Sequence, residues 1–301
     1  MSASLLWIPA TLAAAAAQTA RNATQRKLTE TIGTAGATQV RFLYGFPFAV
    51  LFLVSLLTVS GEPLPRPNVA FWGYVVLGAA TQILATALML AAMRERSFSV
   101  VTAYLKTEPV QTAVFGLAVL GDPLTLHVAA AILIATVGVV LMSLRPGGTG
   151  LASSGIRPVA FGILAGGLFA LAAIGFRGAI LSLPEGSFLI RATTTLVWAL
   201  GAQTAILLVW LGLFDRRALV GSLRAWRPSL GAGFLGALAS QFWFIGFSLT
   251  TAANVRTLAL VEVLMAQVVS HKFLSQETNP REILGMVLIV GGVGLLLWTQ
   301  S

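Results

Sequence analysis

Residues 124–144, LTLHVAAAILIATVGVVLMSL, form an apolar run that contains no Asp, Glu, Lys or Arg. A helix of this length covers about 30 Å, which is the thickness of the hydrocarbon core of a bilayer. The whole chain is 57% hydrophobic and only 10% charged, whereas about 25% of the residues of a soluble domain are charged. The sequence therefore predicts an all-α protein that crosses a membrane several times.

Similar apolar runs recur along the chain, separated by turn-forming segments such as SGEPLPRPN at 60–68 and LPEGS at 183–187. The first run lacks a basic segment before it, so we count it as a span and not as a cleaved signal peptide. We predict ten transmembrane helices, at about 5–20, 37–59, 69–93, 98–120, 124–144, 159–183, 188–213, 229–249, 253–274 and 281–299.

The Gly- and Ser-rich segment RPGGTGLASSGIRP, residues 145–158, is the longest stretch without an apolar run and lies near the middle of the chain. We predict a linker at 148–158. It would join a first five-helix repeat, residues 1–147, to a second five-helix repeat, residues 159–301.

Unusual polar residues recur at a separation near 155 positions, which supports an internal repeat. The recurring pairs are Arg21 and Arg177, Arg41 and Arg191, Gln82 and Gln241, and Glu108 and Glu262. Because five is an odd number, the second repeat would enter the membrane from the opposite side. Inverted repeats of this kind are typical of secondary transporters.

The sequence resembles the EamA family of the drug/metabolite transporter superfamily, most clearly over residues 105–143 and 260–297. The first copy has the pair Glu108-Pro109 and the turn Gly121-Asp122, whereas the second copy keeps Glu262 but has Val263 in place of proline. The resemblance covers nearly the whole chain. It implies a ten-helix carrier of metabolites or amino acids, often an exporter, with a central cavity between two inverted repeats.

Ionisable residues inside the spans are candidates for function, because a charge at the bilayer centre costs about 3 kcal/mol on insertion scales. Lys106 and Glu108 are two positions apart and point to different helix faces, so each needs another partner. We predict that Arg41 and Arg191 pair with Glu108 and Glu262, although an arginine near a helix end also reaches the interface readily. A buried glutamate could carry a proton, which makes protons a candidate coupling ion.

Polar residues in the spans are further candidates for binding a solute. Gln18, Arg21 and Asn22 end the first span, where the alternative is a solvated helix end. Tyr104 and Trp243 could instead belong to the interfacial belt of aromatics, and Arg256 could be an interfacial anchor, although it precedes Glu262 by only six residues. The predicted cavity set is Gln18, Arg21, Asn22, Arg41, Gln82, Tyr104, Lys106, Arg177, Arg191, Gln241 and Trp243, with Glu108 and Glu262 as coupling or ion-pair residues.

Several functional classes are excluded by composition. The formal charge is +9, but the basic residues are scattered between apolar spans, which does not favour nucleic acid. There is no cysteine, and the two histidines, His127 and His271, lie far apart, so we predict no metal, no cofactor and no catalytic residue. The expected partners are a small solute and the lipid bilayer, without an obligate protein partner, and the chain is not expected to be an enzyme.

The orientation in the membrane stays open. Loops after the odd-numbered spans carry most of the basic residues, while the other side has little besides Arg66, so the positive-inside rule places both termini outside. The family resemblance implies that they lie inside. For function, we predict a secondary transporter that exports a small polar metabolite, an amino acid, across the cytoplasmic membrane by alternating access. The alternative is a proton-coupled exporter of drugs or organic cations.

Overall fold

The structure is a computed structural model that describes residues 5–95, 104–143, 156–264 and 280–299. All regular elements within these ranges are helical. Most of the predicted linker and the second part of the predicted ninth span, with His271, lie outside the described residues. The all-α prediction is confirmed.

The described helices follow one another with short connections. They are α1 Trp7–Leu43, α2 Phe46–Ser60, α3 Val69–Glu95, α4 Glu108–Phe115, α5 Leu126–Ser143, α6 Ile156–Ser182, α7 Phe188–Phe214, α8 Arg216–Arg224, α9 Trp226–Leu249, α10 Ala252–Leu258 and α11 Pro280–Trp298. A single π-helical turn, Gly116–Leu120, continues α4.

Six segments of the described chain are helical, long and apolar enough to cross a membrane. They are Thr31–Ser60, Val69–Ala92, Ala160–Ser182, Phe188–Phe214, Trp226–Leu249 and Pro280–Trp298. Two shorter apolar helices, Glu108–Leu120 and Leu126–Met142, coincide with parts of the predicted fourth and fifth spans. The multi-pass prediction is therefore confirmed, and the count of ten stays a prediction.

The first two predicted spans are joined differently from the prediction. In place of a loop, α1 continues through residues 21–30 and is interrupted only at Gly33, whose φ of 72° and ψ of 175° are not helical. This backbone conformation is open to glycine because it has no Cβ. The helix then stops at Tyr44 and Gly45, because the ring of Pro47 clashes with the preceding helical turn and Pro47 has no N–H to donate.

The chain divides into two compact units, and both halves of the sequence contribute to each. Unit 1 comprises residues 1–83 and 172–250, and unit 2 comprises residues 84–171 and 251–301. Helices α3 and α6 therefore contribute residues to both units. The predicted repeat boundaries describe the sequence and stay a prediction.

Each unit has its own apolar core. In unit 1, α3 packs on α6 through Phe71, Val75, Ala179 and Leu183, all of which are buried. In unit 2, the C-terminal part of α3 packs on α6 and on Leu105; the core there is formed by Met89, Leu90, Ala92, Leu105 and Ala165. These cores hold the helices on which the polar side chains described below are placed.

Glycine allows the backbones of α5 and α11 to come into contact within unit 2. A Cβ at Gly138 of α5 would lie 2.6 Å from the carbonyl oxygen of Gly285, and a Cβ at Gly292 of α11 would lie 2.7 Å from the amide nitrogen of Ala135. Real Cβ atoms do not come this close to backbone atoms. Close packing at small residues is the usual way in which membrane helices associate.

Candidate solute-binding site

Two helical segments of unit 2 are broken at equivalent positions of the two halves. In the first half, residues 106–107 form a turn, and α4 begins at Glu108 with Pro109 in its first turn. In the second half, α10 ends at Leu258, residues 259–260 form a turn, and residues 261–264 are helical again. Each glutamate therefore stands just after a helix break, where peptide groups lose their regular helical partners.

Four charged side chains meet at these breaks and form two ion pairs. Lys106 Nζ pairs with Glu262 Oε1. Arg256 Nε lies 2.9 Å from Glu108 Oε1. The four side chains are between 10% and 17% exposed, so the cluster is largely, but not completely, shielded. The formal charge of the cluster is zero.

Each ion pair joins one half of the sequence to the other. Lys106 and Glu108 come from the first half, and Arg256 and Glu262 come from the second. The prediction that Lys106 and Glu108 find separate partners is confirmed. Breaking a buried pair leaves an uncompensated charge, which typically costs about 3–5 kcal/mol, so the pairs also hold the two broken segments together.

The predicted cations for the glutamates were wrong. Arg41 and Arg191 belong to unit 1, whereas both glutamates and the cations that pair with them belong to unit 2. The interfacial role considered for Arg256 is replaced by its pairing with Glu108. A partner six residues from Glu262 in sequence was thus the right candidate for the cluster, but for the other glutamate.

Polar groups continue from the break along α4. Gln111 Nε2 donates to Thr107 Oγ1, at 3.1 Å, and to the carbonyl oxygen of Ile163 in α6, at 3.4 Å. Glycine in α6 makes room for this side chain, because a Cβ at Gly167 would lie 2.6 Å from Gln111 Oε1. The hydroxyl of Tyr104, which is 9% exposed, has no hydrogen-bond partner among the described residues.

Unit 1 holds most of the other predicted residues, as pairs of uncharged side chains that bridge its helices. Trp243 Nε1 donates to Gln18 Oε1, at 3.1 Å. Gln241 Nε2 donates to Thr193 Oγ1, at 2.8 Å. Trp243 is 4% exposed and is therefore not a belt residue facing the interface.

A third bridge in unit 1 includes a residue that the sequence reasoning missed. Gln203 Nε2, on α7, donates to Gln82 Oε1, on α3, at 2.6 Å. Gln203 lies inside an apolar run, as Gln82 does, and this shared signal could have identified it. These bridges satisfy amides that would otherwise be buried without partners.

The predicted arginines of unit 1 have different surroundings. Arg21 and Arg41 are buried, and both side chains pass Gly236 of α9, where a Cβ would lie 3.5 Å from Arg21 Cδ and 3.6 Å from Arg41 Cγ. Arg41 therefore does not reach out to the interface. Arg177 Nη1 donates to the carbonyl oxygens of Phe247, at 2.6 Å, and Thr250, which caps the C-terminal end of α9.

Arg191 and Asn22 are the remaining predicted residues. Arg191 is half-buried in the first turn of α7. The side chain of Asn22 lies outside the described residues. Of the predicted set, the structure thus brings Lys106, Glu108 and Glu262 into one cluster with Arg256, and places Gln18 against Trp243. No group of acidic side chains and histidines suited to holding a metal ion is found in the described ranges.

The broken helices and intramembrane charges are the features expected of a membrane transporter, and comparison with known proteins agrees. The model of the EamA-like transporter family matches residues 5–144 and again residues 156–298. The chain therefore belongs to the EamA-like transporter family and contains two tandem copies of its repeat. Members of this family are transporters and not enzymes.

The fold has a counterpart among solved structures. One chain, described only as "Crystal structure of protein", superposes with a TM-score of 0.70 and 16% sequence identity, covering 100% of this chain and 97% of its own length. At this identity the likeness concerns the fold alone. No curated protein matches the sequence.

Proposed function

We propose that this protein is a secondary transporter of the cytoplasmic membrane that exports a small zwitterionic metabolite, an amino acid, by alternating access. In this proposal the chain crosses the membrane ten times as two inverted five-helix repeats. The observation that carries the proposal is the cluster of Lys106, Glu108, Arg256 and Glu262, which offers two cations and two carboxylates at a pair of helix breaks.

An amino acid has the charges needed to exchange with this cluster. Its carboxylate would accept hydrogen bonds from Arg256 or Lys106, and its ammonium group would donate to Glu108 or Glu262. A solute with both charges can separate an ion pair and still leave every charge compensated. A solute with only one charge would release a protein charge in a shielded place, which is unfavourable.

The helix breaks support the same solute. Discontinuous helices in transporters direct backbone N–H groups and carbonyl groups at the solute, since these groups lack intrahelical partners. The first turn of α4 begins at Glu108, so its N–H groups lie beside the cluster. The buried hydroxyl of Tyr104 adds a further donor on the same segment.

The test is transport of labelled amino acids in proteoliposomes that contain the purified protein. We expect exchange of at least one amino acid above the rate of protein-free vesicles, with loss of that exchange in Glu108→Gln and Arg256→Gln. Glu185→Gln, an exposed glutamate in the connection before α7, is the matched control and should transport normally. The direction is tested by comparing right-side-out with inside-out vesicles.

The same assay separates this proposal from proton-coupled export of organic cations. In that alternative, a pH gradient drives the movement of a cation, and Glu108→Gln abolishes the dependence on the gradient. If no amino acid moves faster than in protein-free vesicles while an organic cation does, the amino-acid proposal is wrong. Exchange of an amino acid without any pH gradient would support it.

A further inference from the structure

Helix α8, residues Arg216–Arg224, lies between two segments long and apolar enough to span the membrane. Helix α7 ends at Phe214, and α9 begins at Trp226. The connection is too short to leave the membrane surface, so α8 must lie where the ends of α7 and α9 meet the headgroups. It belongs to the side of the membrane where the loops carry most of the lysines and arginines.

The segment from α8 into α9 is strongly basic. Residues 216–227, RRALVGSLRAWR, contain four arginines and no acidic residue. All four arginine residues, Arg216, Arg217, Arg224 and Arg227, are exposed. Asp215 just before them is engaged in capping, because its carboxylate accepts a hydrogen bond from the amide of Ala218, at 3.0 Å.

Apolar side chains are exposed among these arginines. Val220, Leu223 and Trp226 are 43–48% exposed, and the Arg227 guanidinium lies 5.3 Å from the centre of the Trp226 ring. A surface that alternates arginines with exposed Leu, Val and Trp is typical of a helix that lies in the membrane interface. The aromatic ring would lie at the level of the headgroups, where tryptophan is enriched.

The other side of α8 is fixed to the protein. The Tyr44 hydroxyl donates to the carbonyl oxygens of Ser222, at 3.1 Å, and Leu223, at 3.3 Å, which satisfies the end of the helix. Ser222 is buried, and a Cβ at Gly221 would contact Ile32 of α1 at 3.7 Å. The exposed arginines are therefore held in place by a packed face, so they present a preformed basic surface.

We propose that this surface, formed by Arg217, Val220, Leu223, Arg224, Trp226 and Arg227, binds the phosphate headgroup of an anionic phospholipid. The guanidinium groups match the geometry of phosphate oxygens and can bind them with two parallel hydrogen bonds. The apolar side chains insert between acyl chains, which a free anion does not provide. Basic residues near a membrane surface are known to favour anionic lipids in this way.

The test uses purified full-length protein in a non-ionic detergent and a short-chain phosphatidylglycerol as the probe. We expect phosphatidylglycerol to raise the unfolding temperature with a saturable dependence, and phosphatidylcholine to have a much smaller effect. The variant R217Q/R224Q/R227Q should weaken the apparent affinity for phosphatidylglycerol by at least about tenfold. Arg66→Gln, an exposed arginine in the connection between α2 and α3, is the matched control and should leave the affinity unchanged.

Further arms keep the proposal testable if the triple variant does not fold. R217K/R224K/R227K keeps the charge and should retain most of the binding, and about 0.5 M salt should weaken phosphatidylglycerol binding by the wild-type protein. Equal stabilisation by phosphatidylcholine, unchanged affinity in the glutamine variant, or insensitivity to salt would each overturn the proposal. Saturable stabilisation by inorganic phosphate of the same size would show a free-anion site and overturn the assignment to lipid. These results do not depend on which solute is transported.

Discussion

The charged cluster of unit 2 and the amide bridges of unit 1 solve the same problem in different ways. Unit 2 places Lys106, Glu108, Arg256 and Glu262 in two ion pairs, whereas unit 1 joins its helices through neutral pairs such as Gln203 with Gln82. A shielded charge needs an opposite charge, while a buried amide needs only a hydrogen-bond partner. The cluster is therefore the place where a charged solute can exchange with protein groups, and the bridges are structural.

The largest effect is expected when one ion pair of the cluster is broken. Lys106→Met leaves Glu262 without its cation, and we expect a loss of about 3–5 kcal/mol in the free energy of unfolding. K106M/E262M removes both charges and should recover most of this stability while transport stays absent. Thermal unfolding and flux are measured on the same preparations. Equal stability of Lys106→Met and the wild type would mean that the pair contributes nothing to the fold.

A smaller effect is expected where α5 meets α11 in the same unit. Gly292→Ala would place a Cβ 2.7 Å from the Ala135 amide nitrogen, so we expect a loss of about 1–3 kcal/mol in the free energy of unfolding. Gly291→Ala is the matched control, because no atom lies within 4 Å of a Cβ there. Thermal unfolding distinguishes the two neighbouring positions. If both variants unfold at the same temperature, this close contact does not support unit 2.

The amide bridge of unit 1 is expected to affect stability but not exchange of the solute. Gln203→Leu and Gln82→Leu each leave one amide without its partner, and a double-mutant cycle should give a coupling of about 0.6 kcal/mol, at most about 1.7 kcal/mol. Unfolding is followed for the two single variants and Q82L/Q203L. Flux measured on the same proteins tests the comparison directly, since a large loss of transport would place this bridge in the solute pathway.

The smallest effect is expected for the bridge between Gln18 and Trp243. Trp243→Phe keeps the aromatic ring beside Phe247, with which it stacks at 6.4 Å between centroids, but removes the donor to Gln18. We expect a loss of about 0.6 kcal/mol in the free energy of unfolding. Trp210→Phe, at an exposed position of α7, serves as the control. A change of more than about 2 kcal/mol would indicate a larger role than one hydrogen bond can have.

The candidate site was partly predictable from sequence. A charged residue in an apolar run is visible in the sequence, and the offset of two between Lys106 and Glu108 correctly excluded a direct pair. The partners themselves were not predictable. Arg41 and Arg191 were equally good candidates by spacing, and only the packing of the two halves within unit 2 selected Arg256 and Lys106.

Local backbone features were predicted less well. The loop expected between the first two spans is replaced by a helix that is interrupted at Gly33 and stops before Pro47. The polar residues at 21–30 suggested a loop, but polarity alone does not end a helix, because backbone hydrogen bonds depend on φ and ψ. The break at residues 259–260 contains neither glycine nor proline, and no local signal predicted it.

The sequence by itself determined that this protein crosses a membrane repeatedly, that its two halves are related, and that it belongs to a family of transporters. These properties follow from apolar length and recurring residues, which are local in the chain. Only the tertiary structure decided that Lys106 pairs with Glu262, that Arg256 pairs with Glu108, and that Gln18 meets Trp243. The physical reason is that each partner is selected by helix packing, which brings together residues that are distant in sequence.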